Sequence, residues 1–263
     1  MIDFLLSLPT LPGCLLFMAL MAVIGLAVYY LTNRLHTRRQ TEEALKEIKD
    51  ATDNLFRVVG WLFTLLLSLT FTDVVSELAV TETAVENEAA ALVDVHHNLR
   101  RFGLEETLQI RSLLVDYTRA VIDDDWPALA SDRLSQRGDA LLRQLGDTVM
   151  ELETNNATQE VVHSLLIADL DRISDYRISR AQQAREKTSH VLIVVVLGYL
   201  VTMVYFGIYQ PRRELVGLLA LYTLFVGVII YMILAMGDPF RGALSVDPVP
   251  MEYTLETIQG ESD

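Results

Sequence analysis

The sequence predicts an all-α integral membrane protein with four transmembrane helices and a helical extramembrane bundle formed by extensions of the second and third spans. Three observations predict it. The chain is 51% hydrophobic yet carries a formal charge of −14, a pairing that suits a membrane protein whose charge sits in one extramembrane block. Residues 73–171 hold 20 of the 35 acidic residues but only 7 of the 21 basic ones. Apolar runs long enough to cross a bilayer also pass into amphipathic helical patterns with nothing between them that stops a helix.

The first span covers residues 12–31. Only Asp3 precedes it among charged residues, so a cleaved signal peptide is not expected. Arg34, Arg38, Arg39, Lys46 and Lys49 follow, which puts the N-terminus outside and residues 33–54 in the cytoplasm. That loop reads as helical, with Thr41 as N-cap and Glu42 and Glu43 in the first turn.

Residues 55–101 organise the rest. Up to Phe71 the only polar side chains are Arg57, Thr64, Ser68 and Thr70. Beyond Thr72 and Asp73 the helical spacing continues through Val74, Leu78, Val85, Leu92, Val95 and Leu99. The expectation is one helix of about 47 residues, roughly 70 Å long at 1.5 Å per residue.

Phe102-Gly103 stops it. Helical spacing resumes over residues 104–123 and breaks at Asp123-Asp124-Asp125-Trp126-Pro127, because proline disfavours helix in the residue before it. Residues 128–153 read as a further amphipathic helix and Asn155-Asn156 as a turn. Residues 158–209 contain no proline and read as a second long helix, whose part at 191–208 is the third span. Gln210-Pro211-Arg212-Arg213 is a short cytoplasmic turn, and residues 215–236 are the fourth span. Gly237 is placed as the helix C′ residue. The expected divisions are 1–72 (first two spans and basic loop), 73–189 (acidic bundle), 190–237 (last two spans) and 238–263 (Asp-Pro-Phe-Arg-Gly cap and acidic tail).

No phosphate-binding glycine loop, nucleophile elbow or triad is present, so an enzyme is not expected, nor a cofactor or metal. The aspartate run lacks calcium-loop spacing and reads as a solvated helix end. His96-His97 are adjacent, cannot share a helix face and read as surface or packing residues. Cys14 is alone, which excludes an intrachain disulfide. The acidic block argues against nucleic acid as a partner. Gly13, Gly25, Gly198 and Gly207 form no G-xxx-G pair.

The strongest pattern is Thr64, Ser68, Thr72 and Ser76, hydroxyls four residues apart, with Asp73 and Glu77 at the outer end. Such a stripe either glues helices or bonds its own backbone. Alternatively it lines a water-filled path with a carboxylate mouth. Arg57 snorkels at the cytoplasmic end of its span or acts on an ion.

Several segments together resemble the bestrophin-like family of four-span bacterial membrane proteins, catalogued as a domain of unknown function. They are Glu88-Ala89-Ala90-Ala91-Leu92, Tyr117-Thr118-Arg119-Ala120-Val121 leading to Asp125-Trp126-Pro127, Arg177-Ile178-Ser179-Arg180, and Asp238-Pro239-Phe240-Arg241-Gly242. The family usually has Glu where Asp125 stands, and often a proline where Ser189-His190 stands. The resemblance implies kinship with bestrophin chloride channels and a ring-shaped homo-oligomer around an axial pore. The expected function is then an oligomeric ion channel or channel-like pore lined by the second span. Its ion is a cation by the acidic mouth or an anion by the bestrophin analogy. The alternative is a membrane-anchored helical scaffold or sensor. Expected partners are the lipid bilayer, further copies of the chain and an inorganic ion. The expected location is the bacterial inner membrane, with both termini and the bundle on the periplasmic side.

Overall fold

The computed structural model describes residues 9–37, 42–103, 105, 107–131, 133–185, 189–242 and 244–260, all of them helical or in connecting turns. The helices are α1 (Thr10–Thr37), α2 (Glu42–Phe102), α3 (Leu108–Ala120), a π-helical turn (Val121–Asp125), α4 (Trp126–Leu129), α5 (Gln136–Met150), α6 (Ala157–Arg185), α7 (Ser189–Phe206), α8 (Arg213–Met236) and α9 (Val249–Gly260). They fall into two compact units: Met1–Ser76 with Lys187–Ser245, and Glu77–Glu186 with Val246–Asp263. The cytoplasmic helix and the second span of the sequence reading are one helix, α2, of 61 residues. Thr41, its expected N-cap, lies outside the described residues, as do residues 186–188 within the second long helix expected over 158–209.

The first unit contains α1, the early part of α2, α7 and α8. Thr10–His36 and Arg213–Met236 are long and apolar enough to span a bilayer, and so is a stretch within Leu55–Phe102. The apolar part of α7, Leu192–Phe206, is shorter. Phe17, Met21 and Tyr29 of α1 form the core with Phe63 of α2, Val195, Tyr199 and Met203 of α7, and Val226 and Ile230 of α8. Outward-facing Leu16, Leu62, Leu197 and Leu221 are exposed, as a lipid-facing surface requires. Single glycines set the close approaches. A Cβ on Gly25 would lie 2.0 Å from Tyr199 Oη, one on Gly198 2.5 Å from the Phe63 ring, and one on Gly207 2.5 Å from Thr32 Cβ. Helix ends leave carbonyls without intrahelical partners. Asn33 Nδ2 donates to Gly207 O at 3.1 Å and to Tyr209 O at 2.9 Å, at the end of α7.

The second unit contains the later part of α2, then α3 to α6 and α9. Leu92, Val95 and Leu99 of α2 pack with Leu114 and Tyr117 of α3, Leu145 and Val149 of α5, Leu166 and Ile173 of α6, and Met251 and Ile258 of α9. Helix α2 ends at Phe102 because Gly103 takes a φ of 149°, which other residues adopt only with strain.

Three expectations need correction. The chain does not break at Asp123–Pro127. The Trp126 amide bonds Val121 O, five residues back, and Pro127 falls in the first turn of α4, where no donor is needed. The single helix expected over residues 128–153 is divided, because Ser135 caps a new helix, its Oγ accepting the Gly138 amide at 2.9 Å. The tail is not merely acidic: α9 buries Met251, Thr254 and Ile258, and Thr254 Oγ1 donates to Ala89 O at 3.4 Å.

Candidate functional site

Each unit holds one group of polar residues that demands an explanation. In the second unit it is a buried charge cluster built from four elements. Glu88 of α2, Tyr117 of α3, Asp125 of the π-helical turn and Arg180 of α6 are each fully buried. Arg177 and Arg180 are three apart on α6 and so share a face.

Arg177 forks onto Asp125, with Nε to Oδ2 at 2.9 Å and Nη2 to Oδ1 at 3.1 Å, and its Nη1 meets Asp139 of α5. Arg180 Nη2 joins Asp125 Oδ2 at 3.2 Å to Glu88 Oε1 at 3.3 Å. Tyr117 donates to Glu88 Oε1 at 3.0 Å. Trp126 lies under the Arg180 guanidinium, 5.2 Å from ring centroid to Cζ, and its indole N–H donates to Val246 O at 3.1 Å. Ser135 donates its backbone N–H and its hydroxyl to Asp125 Oδ1. Gly138 is glycine for space, since a Cβ there would lie 2.8 Å from Arg177 Nη2 and 2.9 Å from Asp125 Oδ1.

Burial disfavours each ionised form, and the partners decide the outcome. Burial raises the Glu88 carboxyl above its ordinary 4.5; Arg180 and the Tyr117 hydroxyl pull it back, while Asp125 adds to the rise. Burial and the Glu88 charge push Tyr117 well above 10.0. For Arg177, burial works against the charge, but the hydrogen bonds and charge of Asp125, with Asp139, outweigh it and its pKa is raised.

The motif residues Glu88, Trp126, Arg177 and Arg180 are thus brought together, and Pro127 sits in the helical turn beside them. Asp125, read as solvated, is the buried centre: a correction, since both arginines of α6 neutralise it. Asp124 keeps the surface position expected of the run and pairs with Arg137 at 3.1 Å. Sequence reading missed Ser135, Gly138 and Asp139, although a Ser at the start of a helical pattern is an N-cap signal. His96 is buried and His97 exposed.

In the first unit the polar group is the hydroxyl face of α2. Thr64, Ser68, Thr72 and Ser76 are all exposed, as is Asp73; Glu77, the next residue of α2 after Ser76 and the first of the second unit, is half-buried. The packed face of this stretch carries Phe63, Thr70 and Val74. A four-residue step drifts by about 40° on a helix of 3.6 residues per turn, so Thr72 lies opposite that face. Thr64 Oγ1 donates to Gly60 O at 2.9 Å and Thr72 Oγ1 to Ser68 O at 3.0 Å. The hydroxyls that α7 and α8 could offer to helix glue are engaged elsewhere: Tyr199 with Met21 O at 2.8 Å, and Thr202 with Gly198 O at 2.9 Å and with Tyr222. Helix α8 ends at Met236, and Gly237 is its C-cap with a negative φ of −76°, not the C′ residue expected; beyond it Pro239 and Phe240 are buried, Gly242 takes φ 89°, and Arg241 pairs with Asp238 at 3.7 Å. No group of residues with metal-ligand character occurs among the described residues.

The model of the bestrophin-like domain matches residues 19–251. The chain belongs to the bestrophin-like family. The matched stretch takes in every residue of the hydroxyl face and of the charge cluster, while α9 extends beyond it. In fold, this bestrophin-like chain is similar to crystal structures of a bacterial bestrophin homologue from Klebsiella pneumoniae, each a single-substitution form. One is 12% identical with a TM-score of 0.64, covering 95% of this chain and 98% of that one. Another is 15% identical with a TM-score of 0.61, covering 94% and 98%. A third is 12% identical with a TM-score of 0.62, covering 94% and 99%. No curated protein sequence matches the chain. In the bestrophin-like fold the charge cluster ties the later part of α2 to α3, α5 and α6, so it fixes the register of these helices within their unit.

Proposed function

We propose that the protein is one subunit of a homo-oligomeric ion channel in the bacterial inner membrane, with α2 lining the conducting path. Four helices cross the bilayer, α1, the apolar part of α2, α7 and α8, and the second unit and both termini lie on the periplasmic side. The observation that carries this reading is the hydroxyl face: a row of exposed hydroxyls on an otherwise leucine-rich helix, turned away from the helix's packed side. Kinship with a bacterial bestrophin homologue supports it.

The bonding of that face also favours a cation. Each hydroxyl has one donor and two lone pairs. Thr64 and Thr72 spend the donor on their own backbone, so what they present outward is acceptor oxygen. In a symmetric assembly Asp73 and Glu77 become carboxylate rings at the mouth, which attract cations.

The test is conductance of the purified protein in planar bilayers under a potassium chloride gradient. A reversal potential near the potassium equilibrium value is expected. Asp73→Asn with Glu77→Gln shifts it toward the chloride value, and Ser68→Leu lowers conductance with the assembly intact. A reversal potential that already lies at the chloride value and ignores the double substitution refutes the cation assignment.

A membrane-anchored scaffold or sensor is the second reading, and one observation favours it. The Thr64 and Thr72 donors are satisfied within α2 and need neither water nor a partner. Intact oligomers that pass no current under any gradient would select it.

A further inference from the structure

The first unit contains an open cleft of about 670 Å³ between α2, α7 and α8, which flanks the hydroxyl face of α2 and shares Thr64 with it. Its size suits a bound organic molecule, such sites running to roughly 300–1,000 Å³. Two helical stripes face each other across it: Arg57, Trp61 and Thr64 from α2, and Leu215, Leu218 and Tyr222 from α8. Both follow the three- and four-residue spacing that puts side chains on one helix face.

The lining is graded. Among the described residues, Arg57 is the one charged residue of the lining and no carboxylate contributes. Arg57 stands two residues into the apolar run of α2, at the level where lipid phosphates lie. Trp61, one turn deeper, is 79% exposed. At the same end, Arg212 and Arg213 outnumber Glu214 where α8 begins. A cation at one end of a largely apolar, laterally open groove is the complement of an amphiphile with an anionic head.

We propose that this cleft binds an anionic phospholipid, its phosphate on Arg57 and one acyl chain between Trp61 and the leucines of α8. The guanidinium offers two parallel donors to a phosphate. Gly60 keeps the cleft open, because a Cβ there meets only Phe56 Cε1 at 4.0 Å and side chain beyond it would fill the space. The site requires a membrane location but not conduction.

The experiment uses the full-length protein in phosphatidylcholine bilayers, titrated with phosphatidylglycerol brominated on its acyl chains. The signal is the tryptophan quenching that disappears in Trp61→Phe. Brominated phosphatidylglycerol is expected to quench at a lower mole fraction than brominated phosphatidylcholine. Arg57→Gln raises its half-saturation about fivefold, the equivalent of ~1 kcal/mol for one arginine near an anionic surface. The phosphatidylcholine titration stays unchanged by that substitution. Gly60→Leu abolishes the saturable component for both lipids, and inorganic phosphate does not compete. Equal titrations of the two lipids in the unsubstituted protein overturn the proposal, as does an Arg57→Gln titration that does not move. Absent quenching with cross-linking between copies through Trp61→Cys also overturns it and makes the cleft a subunit interface.

Discussion

Arg180→Met tests the buried cluster most directly. Arg180 is fully buried and bridges Glu88 and Asp125, so its loss removes one positive charge from between two buried carboxylates. Asp125 remains paired, because Arg177 still grips both of its oxygens. The group left bare is Glu88, whose Oε1 keeps Tyr117 while Oε2 has no hydrogen-bond partner. Breaking a buried pair costs roughly 3–5 kcal/mol, and the surviving bonds place this case near 3. Thermal unfolding in detergent should therefore move down by about 10 °C at pH 8.

The loss should also depend on pH. Glu88 has a folded pKa above its ordinary 4.5, so the folded state binds more protons and stability falls as pH rises from that value through the folded pKa. Removing Arg180, which lowers that pKa, widens the window upward. The deficit of Arg180→Met should shrink on acidification from pH 8 to pH 5. Adding Glu88→Gln, which keeps the shape and removes the charge, should restore more than half of it at pH 8. A deficit that is constant with pH and untouched by Glu88→Gln would show that the cost arises from lost packing on Trp126, and would refute the electrostatic argument.

The same cluster predicts that Gly138→Ala destabilises by about 1–3 kcal/mol in the same assay, since its Cβ overlaps Arg177 and Asp125. Gly25→Ala should lower the yield of folded protein and displace Tyr199 from Met21 O, because the new methyl falls on the phenol oxygen; unchanged yield and melting would count against close helix packing there. For the proposed topology, Asn155→Cys in a Cys14→Ala background should react with an impermeant thiol reagent outside intact inner membranes, the side chain being exposed. Labelling only after permeabilisation reverses the orientation.

The sequence alone was sufficient for what depends on local chemistry. Apolar runs mark the membrane helices because lipid leaves no partner for an unpaired backbone group. Gly103 marks the end of α2 because only glycine takes its backbone angle without strain. The hydroxyl stripe was visible because helical periodicity is a property of the chain itself. What escaped the sequence depends on long-range proximity. Asp125 reads as one solvated acid in a run of three until the wide turn at Val121–Asp125 directs it at Arg177 and Arg180, more than fifty residues away. The capping of α7 by Asn33 bridges 174 residues and leaves no local trace. Helix α9 has too little apolar surface to announce itself, and its fold follows from docking Met251 and Ile258 into a core already formed by other helices. A buried charge is tolerated only where its counter-charge arrives, and only the tertiary structure decides that.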